Sequence, residues 1–482
     1  MKSHLNLNHF FPYFCYTLAI LLGCSTNAHA QLDWCDTFAQ DRLIIDESNE
    51  FYVENFSVSV SGDTAVIGAQ IYDNEEYDSA VFVFVQTRDQ WNLQATLIPQ
   101  ERNSYFGYSV AISGDTIVIG APHDDYFERN NGAAYVYTRS DGVWTQQAIL
   151  DGSFEPDHFG FGYDVDIDQD NIIVGVEDSC NDDYCTGVAH IFTRTNNEWA
   201  HAAMLTPQDR DNSESFALTV AISGDTAVVS SIDGFQDVIN IPLASVYTIT
   251  DGVWTLESTL IPNDLHDVDH EVSLAIEDDT IVLGSTQYEI PDSNSDGAAL
   301  IFTRTDQTWT HEASLSNYDK DNTIEDFGYA VDIDQGRVLV SPANGFTDES
   351  DSVILFTQTD GVWNETISFA PSSTNEYYER FGSSISLSGD HIIIGFEYAD
   401  EMTNAHPFAL DLYCDTTCYA DLQENGILDF YDFSIFRNAF ISNDPLADFY
   451  ADGEIDLFDL FAYMIAFNRG CYIPPEPLQN PN

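Results

Sequence analysis

The sequence predicts a mainly β protein, namely a seven-bladed β-propeller followed by a small α-helical module with two tandem EF-hand-like loops. The first observation is repetition: residues 106–122, FGYSVAISGDTIVIGAP, are the clearest of seven copies of one segment. The copies are spaced by 52, 55, 55, 54, 57 and 54 residues, measured at Thr64, Thr116, Asn171, Thr226, Thr280, Arg337 and His391. A fixed period of this size is typical of stacked or radial repeat architectures.

The second observation is that each copy contains four β-rich runs. In the clearest copy, residues 109–112 alternate, the turn 113–115 follows, and residues 117–119 form a second run. A short polar link with glycine between two such runs predicts a hairpin. A third run covers 133–137, and a further turn leads to a fourth run with Trp144. Four antiparallel strands repeated radially describe a β-propeller, of which ~4 to 8 blades are typical.

Tryptophans predict how the propeller closes. Six repeats have one tryptophan in the fourth run: Trp91, Trp144, Trp199, Trp254, Trp309 and Trp363. The seventh repeat has none, and the one remaining tryptophan is Trp34, near the N-terminus. We therefore expect the N-terminal segment to supply the outer strand of the seventh blade, which removes exposed sheet edges.

The cysteines predict three disulfides. Six remain after the expected export signal is removed, and an even number in an exported chain favours disulfides. A bond between Cys35 and Cys414 would lock the closure of the propeller. The other expected pairs are Cys180 with Cys185, and Cys418 with Cys471.

The charge balance excludes some partners. There are 14 Lys+Arg against 81 Asp+Glu, a formal net charge of −67. Nucleic-acid binding requires a basic surface, which this composition excludes. An anionic membrane would repel the chain for the same reason. The acidic residues are explained either by solubility, including in salty surroundings, or by cation binding.

The N-terminus predicts export. Lys2 precedes an apolar run over 10–22, and Ala28-His29-Ala30 forms a small-residue cleavage site before Gln31. The run is too short to span a membrane. In the alternative, Cys24 is lipidated as in a lipoprotein signal. We expect the domains to be a signal peptide (1–30), the propeller (31–413), the C-terminal module (414–475) and a tail (476–482), in a protein secreted by or held on the surface of a bacterium.

The repeats resemble the FG-GAP repeats of integrin α-subunit propellers and their bacterial relatives. The resemblance covers about 31–413 and rests on Phe-Gly pairs at 106–107, 161–162, 327–328 and 381–382, and on Gly120-Ala121-Pro122. In the integrin-type repeat, calcium binds in a loop between the first two strands. Here that link, 113–115, is too short to supply the 6–8 oxygens calcium prefers, so no propeller calcium is expected. The Asp-rich segment 292–297 is interpreted as a solvated turn.

The C-terminal segment predicts two calcium loops 27 residues apart. Carboxylates converge on one cation, a glycine makes the sharp turn, and the seventh position offers its backbone carbonyl. The expected ligands of the first loop are Asp421, Gln423, Asn425, Ile427, Asp429 and Asp432. Those of the second are Asp448, Asp452, Glu454, Asp456 and Asp459. Apolar stripes follow each loop, which predicts helices. In the alternative, degenerate loops fold without metal.

These loops, with Gly470-Cys471 at the end, resemble a type I dockerin. The resemblance implies calcium as a cofactor, and a cohesin-like protein or other surface anchor as partner. Dockerins bind through residues after the ninth loop position, which here are Phe430, Tyr431, Leu457 and Phe458. These side chains form either a hydrophobic docking face or part of the module's own core.

The sequence favours a secreted, non-enzymatic binding or adhesion-type protein whose variable loops, over 124–131, 178–186 and 288–296, recognise a protein or a glycan. The alternative is an extracellular glycosidase acting in polysaccharide breakdown, which would need two suitably placed carboxylates. No nucleophile elbow or zinc motif is present in the sequence. His123, His158 and His270 are scattered, and we interpret them as surface or turn residues rather than as catalytic bases. A structural surface-layer component is a third alternative.

Overall fold

The computed structural model of this chain is mainly β, which confirms the predicted class. It describes residues 39–44, 52–73, 76–87, 90–99, 105–124, 131–152, 158–180, 185–207, 213–233, 242–261, 272–289, 296–316, 327–342, 352–359, 361–369, 378–389, 391–398, 408–413 and 436. The chain divides into two compact units. One is Gln40–Leu412, and the other consists of Met1–Ala39 and Tyr413–Asn482.

The strands follow the repeats of the sequence. β1 (Ala39–Ile44) comes first. Repeat one holds β2 (Tyr52–Ser61), β3 (Thr64–Asp73), β4 (Glu76–Thr87) and β5 (Gln90–Leu97). Repeat two holds β6 (Val110–Ser113), β7 (Thr116–Ala121), β8 (Ala133–Ser140) and β9 (Val143–Leu150). Repeat three holds β10 (His158–Asp168), β11 (Asn171–Cys180), β12 (Cys185–Thr195) and β13 (Glu198–Leu205).

The later repeats keep this order. Repeat four holds β14 (Ser213–Ser223), β15 (Thr226–Asp233), β16 (Pro242–Thr250) and β17 (Val253–Leu260). Repeat five holds β18 (Val272–Glu277), β19 (Thr280–Glu289), β20 (Asp296–Thr305) and β21 (Thr308–Leu315). Repeat six holds β22 (Phe327–Asp334), β23 (Arg337–Pro342), β24 (Val353–Thr359) and β25 (Val362–Phe369). Repeat seven holds β26 (Tyr378–Ser388), β27 (His391–Tyr398) and β28 (Phe408–Tyr413).

Each repeat forms an antiparallel sheet in chain order, and β1 pairs with β28 as the fourth strand beside repeat seven. A parallel bridge between Gly297 and Phe327 joins the sheets of repeats five and six, and a bridge between Gly132 and Phe161 does the same for repeats two and three. Within the unit Gln40–Leu412, each sheet packs against the next, and repeat seven packs against repeat one. This cyclic order is β-propeller-like. Trp34, which the sequence places in the closing strand, lies outside the described residues.

The core lies between neighbouring sheets. Between repeats one and two, Phe106 and Trp144 pack against Val81 and Val83. Between repeats seven and one, Val58 lies in one cluster with Ile393. Alternate residues of each strand therefore face alternate neighbours, as the two-residue period of a strand requires.

Paired glycines allow adjacent sheets to touch through their backbones. Gly162, in the Phe-Gly pair of repeat three, has φ 89 and directs its carbonyl at Gly120 on β7. A Cβ at Gly120 would lie 2.1 Å from that oxygen. Gly68 with Gly107 and Gly284 with Gly328 repeat the contact, also at 2.1 Å. The two glycine motifs of the repeat are thus the two halves of one contact, which only glycine permits at this distance.

First strands are also joined by side chains that accept hydrogen bonds from the backbone of the next repeat. The N–H groups of Val58 and Val60 donate to Ser384 Oγ at 3.0 Å and to Ser386 Oγ at 3.1 Å. Repeat three uses carboxylates instead, so Ile222 N–H donates to Asp166 Oδ2 at 2.7 Å. Such bonds satisfy strand-edge donors that would otherwise lack partners.

Burial raises the pKa of these carboxyl groups. It raises the pKa of Asp166 to about 7, against the effect of hydrogen bonds from Ile222 and Ile167 and with help from the charges of Asp164 and Asp332. Asp332 occupies the equivalent place in repeat six, and burial raises its pKa to about 7 as well.

The tryptophans of the fourth strands anchor a second contact between repeats. Arg139 lies opposite Trp144 across β8 and β9, with its guanidinium 4.9 Å from the ring centre. Its Nε donates to Asp115 in the hairpin turn at 2.6 Å. The Trp144 Nε1 donates to Gln94 of repeat one at 2.7 Å. A cation over an aromatic face contributes roughly 0.5–2 kcal/mol, so each such contact is modest but repeated.

Candidate ligand-binding site

The loop-bearing edge of the sheets is defined by strand direction. First strands begin at this edge and run to the hairpin turns at the opposite edge, and second strands return to it. We call these the loop edge and the turn edge. Residues directly before Ser109 and directly after Ala121 therefore both lie at the loop edge of repeat two.

Four aromatic residues of repeats two and three meet there, and we call them the tyrosine cluster: Tyr105, Tyr108, His123 and Tyr163. The ring centres of Tyr108 and Tyr163 are 5.1 Å apart. Tyr105 lies 4.6 Å from His123 and 6.5 Å from Tyr108. The three tyrosines are half-buried and His123 is exposed. The rings therefore form one accessible aromatic surface across two adjacent sheets.

The Phe-Gly pairs explain this placement. Tyr108 follows Phe106-Gly107, and Tyr163 follows Phe161-Gly162. Both phenylalanines are fully buried, and both glycines have positive φ, of 88 and 89. A buried anchor followed by a bend that favours glycine fixes the next residue at the same place in each repeat. Adjacent repeats therefore bring the two tyrosines together.

Tyr108, in the middle of the cluster, is held uncharged by its surroundings, and acidic side chains lie near it. Burial, a hydrogen bond with Tyr163 and the nearby charges of Glu177 and Asp164 all raise the pKa of Tyr108 far above its usual value. The phenol therefore stays protonated in the physiological range. Glu177 is exposed. Burial raises the pKa of Asp164 to about 6, although Val220, Ser109 and Val165 donate hydrogen bonds to it.

This arrangement suits recognition of a ligand. The tyrosine rings offer flat apolar faces, and their hydroxyls and the nearby carboxylates offer hydrogen bonds. Aromatic side chains with a few polar groups beside them are common in small-ligand sites. Within the described ranges, no group of three or more His, Cys, Asp or Glu side chains is placed to hold a metal ion.

Most residues singled out in the sequence fall outside the described part of the chain. This holds for every expected calcium ligand, for the expected docking residues Phe430, Tyr431, Leu457 and Phe458, and for Cys35, Cys414, Cys418 and Cys471. Phe436, the one described residue of that segment, is helical and buried. These assignments stay predictions.

Other residues predicted from the sequence lie wholly or partly within the described part of the chain. Cys180 and Cys185 are direct backbone partners at the ends of β11 and β12, and their disulfide stays a prediction. Of the variable loops, residues 125–130, 181–184 and 290–295 lie outside the described part. His123, interpreted as a surface or turn residue, is exposed and belongs to the tyrosine cluster.

The tyrosines beside the Phe-Gly pairs were not predicted from the sequence to belong to a site. The signal was present, since tyrosine follows Phe-Gly in repeats two, three and six, at Tyr108, Tyr163 and Tyr329. Only the contact between neighbouring sheets shows that two of these side chains meet.

Comparison with known proteins supports the repeat assignment. The family model described as FG-GAP repeat matches residues 91–137 and 199–241. Each stretch begins at a fourth-strand tryptophan and continues into the next repeat, so the resemblance to FG-GAP repeats is confirmed. A search of curated proteins gives no match to this chain. Among the described residues, no helix has the length and apolar character needed to cross a membrane.

Proposed function

We propose that the FG-GAP repeats form a seven-bladed propeller, closed by the N-terminal strand, that acts as a non-enzymatic binding or adhesion module. Support comes from the cyclic packing of the sheets and from the pairing of β1 with β28. The loops of such a scaffold change freely while its strands hold them in place. The function is therefore assigned to the loop edge.

The ligand of this edge is a glycan. The tyrosine cluster is the observation that carries the proposal, because sugar rings present flat C–H faces that stack on tyrosine and hydroxyls that bond to phenols and carboxylates. The 5.1 Å separation of Tyr108 and Tyr163 makes one continuous surface from two repeats. The protein-ligand alternative is an outcome of the test below.

The test compares aromatic and truncated variants on an oligosaccharide array, followed by calorimetry with the best ligand. We expect Tyr108→Phe to retain most binding because the ring remains, and Tyr163→Ala to weaken it at least about tenfold through the loss of a buried contact worth ~1.4 kcal/mol or more. Tyr329→Ala, at the same position in repeat six, is the matched control. If no glycan binds, or the control fails equally, the glycan proposal is wrong.

The C-terminal module supplies a calcium-dependent anchor to a cell-surface or extracellular assembly. The spacing of the two predicted loops supports this. Calorimetric titration of the full chain with calcium should give two sites, reduced to one by Asp421→Asn or by Asp448→Asn. Capture from envelope extracts should require calcium and residues 414–482. Heat that is unchanged by both substitutions would remove calcium from the proposal.

Export is part of the same proposal. Edman sequencing or mass spectrometry of the protein recovered from culture fluid should give an N-terminus at Gln31. A lipidated N-terminus at Cys24 in a membrane fraction would favour the lipoprotein alternative. Retention of Met1 in the cytoplasm would contradict both.

A further inference from the structure

Three repeats share one cationic contact at the turn edge. In repeats two, three and five, a third-strand arginine lies over the fourth-strand tryptophan, with the guanidinium 4.9, 4.9 and 5.0 Å from the ring centre. In each repeat, the arginine Nε also donates to an aspartate of the hairpin turn at 2.6 Å. The arginines are Arg139, Arg194 and Arg304. A permanent positive charge therefore joins an aromatic ring to a turn carboxylate in these repeats.

In repeats two and three, the guanidinium also reaches the preceding repeat. Arg139 Nη1 donates to Thr64 Oγ1 at 2.9 Å, and Arg194 Nη1 donates to Thr116 Oγ1 at 3.0 Å. Each threonine is the first residue of a second strand, directly after the hairpin turn. The contact thus links neighbouring sheets through two positions, the third-strand arginine and the first residue of the second strand in the repeat before it.

The interface between repeats seven and one has other residues at both positions. In repeat one, Gln86 lies opposite Trp91 across β4 and β5, at the place that arginine holds in repeat two. In repeat seven, His391 is the first residue of the second strand, where repeats one and two have threonine. The arginine is therefore missing from this interface, and a histidine stands at the position that the arginine would contact.

The imidazole of His391 contacts the same two kinds of partner as the guanidinium does. Its ring centre is 5.4 Å from that of Trp91, with the two planes at 77°. Its Nε2 is 3.7 Å from Oδ1 of Asp63, the turn aspartate equivalent to Asp115. His391 is buried and Asp63 is exposed. An aromatic face and a carboxylate each attract a cation, so both partners favour the protonated imidazole.

Burial of the imidazole opposes its protonation. The arginines, whose side chains are 19%, 20% and 21% exposed, show that the equivalent surroundings hold a positive charge in other repeats. The charged groups of repeat six at this turn are already paired. Asp334 binds Arg337 at 3.3 Å, and both bind the backbone of Gly389. From repeat one, Asp63 and the ring of Trp91 face His391.

We propose that the interface between repeats seven and one is a pH-sensitive clasp, which His391 tightens when it is protonated and loosens when it is neutral. Arginine keeps its charge at every physiological pH, whereas histidine titrates close to neutrality. A histidine whose charged form is stabilised by folding contributes stability below its unfolded pKa of about 6.5 and loses it as pH rises through the folded pKa. The arginine interfaces therefore keep their contact over the range in which this one weakens.

The test is hydrogen exchange with mass spectrometry on the full-length protein at about pH 5 and about pH 8, corrected for the intrinsic pH dependence of amide exchange. The N–H groups of Val58 and Val60 donate to side chains of repeat seven across this interface and report on it. Those of Val110 and Ile112 donate to repeat one across the interface of Arg139 and are the internal control. From low to high pH, protection of the first pair should fall at least about threefold relative to the second.

Matched substitutions separate the imidazole from the other groups that titrate. His391→Gln is neutral at every pH, so it should match the wild type at about pH 8 and lose protection at about pH 5. Gln86→Arg/His391→Thr recreates the residues of repeats two and three, so its interface should stay protected at both pH values. Asp166 and Asp332 are present in every variant, so their own pH dependence cancels in the comparison.

The clasp proposal has two results that would overturn it. One is a pH dependence at Val58 and Val60 no larger than that at Val110 and Ile112, or larger protection at about pH 8 than at about pH 5. The other is the wild-type pH dependence in folded His391→Gln protein. Circular dichroism establishes that each variant is folded, and if the double variant is not, the comparison with His391→Gln decides.

Discussion

Replacing Gly120 by alanine should open the contact between repeats two and three. Gly120 is not among the glycines with positive φ, so alanine fits its own backbone. The added Cβ, however, would lie 2.1 Å from the carbonyl oxygen and 3.1 Å from the carbonyl carbon of Gly162. Real Cβ contacts essentially never fall under 3.0 Å, so the two sheets must separate by at least about 0.9 Å.

The loss of stability can be estimated from the packing that this separation of the sheets would disturb. The same interface buries Phe161, Val165 and Val118 in one cluster. Overpacking of a well-packed core costs about 1–3 kcal/mol. A gap of 0.5–1 Å also removes roughly a quarter to a half of each dispersion contact across it. We therefore expect Gly120→Ala to lower the free energy of unfolding by about 3 kcal/mol.

The assay is urea unfolding followed by tryptophan fluorescence, since repeats two and three carry Trp144 and Trp199. The control is Gly114→Asn. Gly114 has nothing within 4 Å of a built Cβ and φ 56, and the equivalent turn positions hold Asp278 and Gln335 with φ 49 and 52. Its effect should stay within about 0.5 kcal/mol. If Gly120→Ala matches this control, the glycine contact does not hold the sheets together.

Three further changes are predicted. Trp254 Nε1 has no hydrogen-bond partner among the described residues. In repeat three, Trp199 Nε1 donates to Gln147 of the preceding repeat, and the residue equivalent to Gln147 beside Trp254 is Ala202. Ala202→Gln should therefore raise the free energy of unfolding in urea by about 1 kcal/mol. Ala217 has φ 62 at the place where repeats two, three, six and seven have glycine. Ala217→Gly should therefore raise the urea midpoint, with a gain of up to about 1 kcal/mol in the free energy of unfolding. The raised pKa of Asp166 and of Asp332 means that the folded state binds more protons, so stability should fall as pH rises from about 4 to about 7 and then level off. The double variant Asp166→Asn/Asp332→Asn should flatten that slope in urea titrations at each pH, and an unchanged slope would contradict the assignment.

Some features of this protein could be predicted from its sequence and others could not. The four-strand repeat could be predicted because the alternation of residues 109–112, the turn 113–115 and the run 117–119 are local signals. The structure has these as β6, a hairpin turn and β7. The conserved geometry of the turns is local too, since glycine, aspartate and glutamine all adopt positive φ there.

The candidate sites could not be predicted in the same way because they form between repeats. Gly120 and Gly162 are 42 residues apart in the sequence, and each alone indicates only a bend or a small residue. The tyrosine cluster likewise joins side chains of neighbouring sheets.

The sequence by itself determined the mainly β class, the repeat and its period, and the strand order within each repeat, because these depend on side-chain alternation and turn chemistry over a few residues. The tertiary structure decided which repeats touch and through which atoms. Tyr108 meets Tyr163, and the carbonyl of Gly162 meets Gly120, because distances between sheets depend on packing summed over both partners. That information is carried by pairs of repeats and by no single segment.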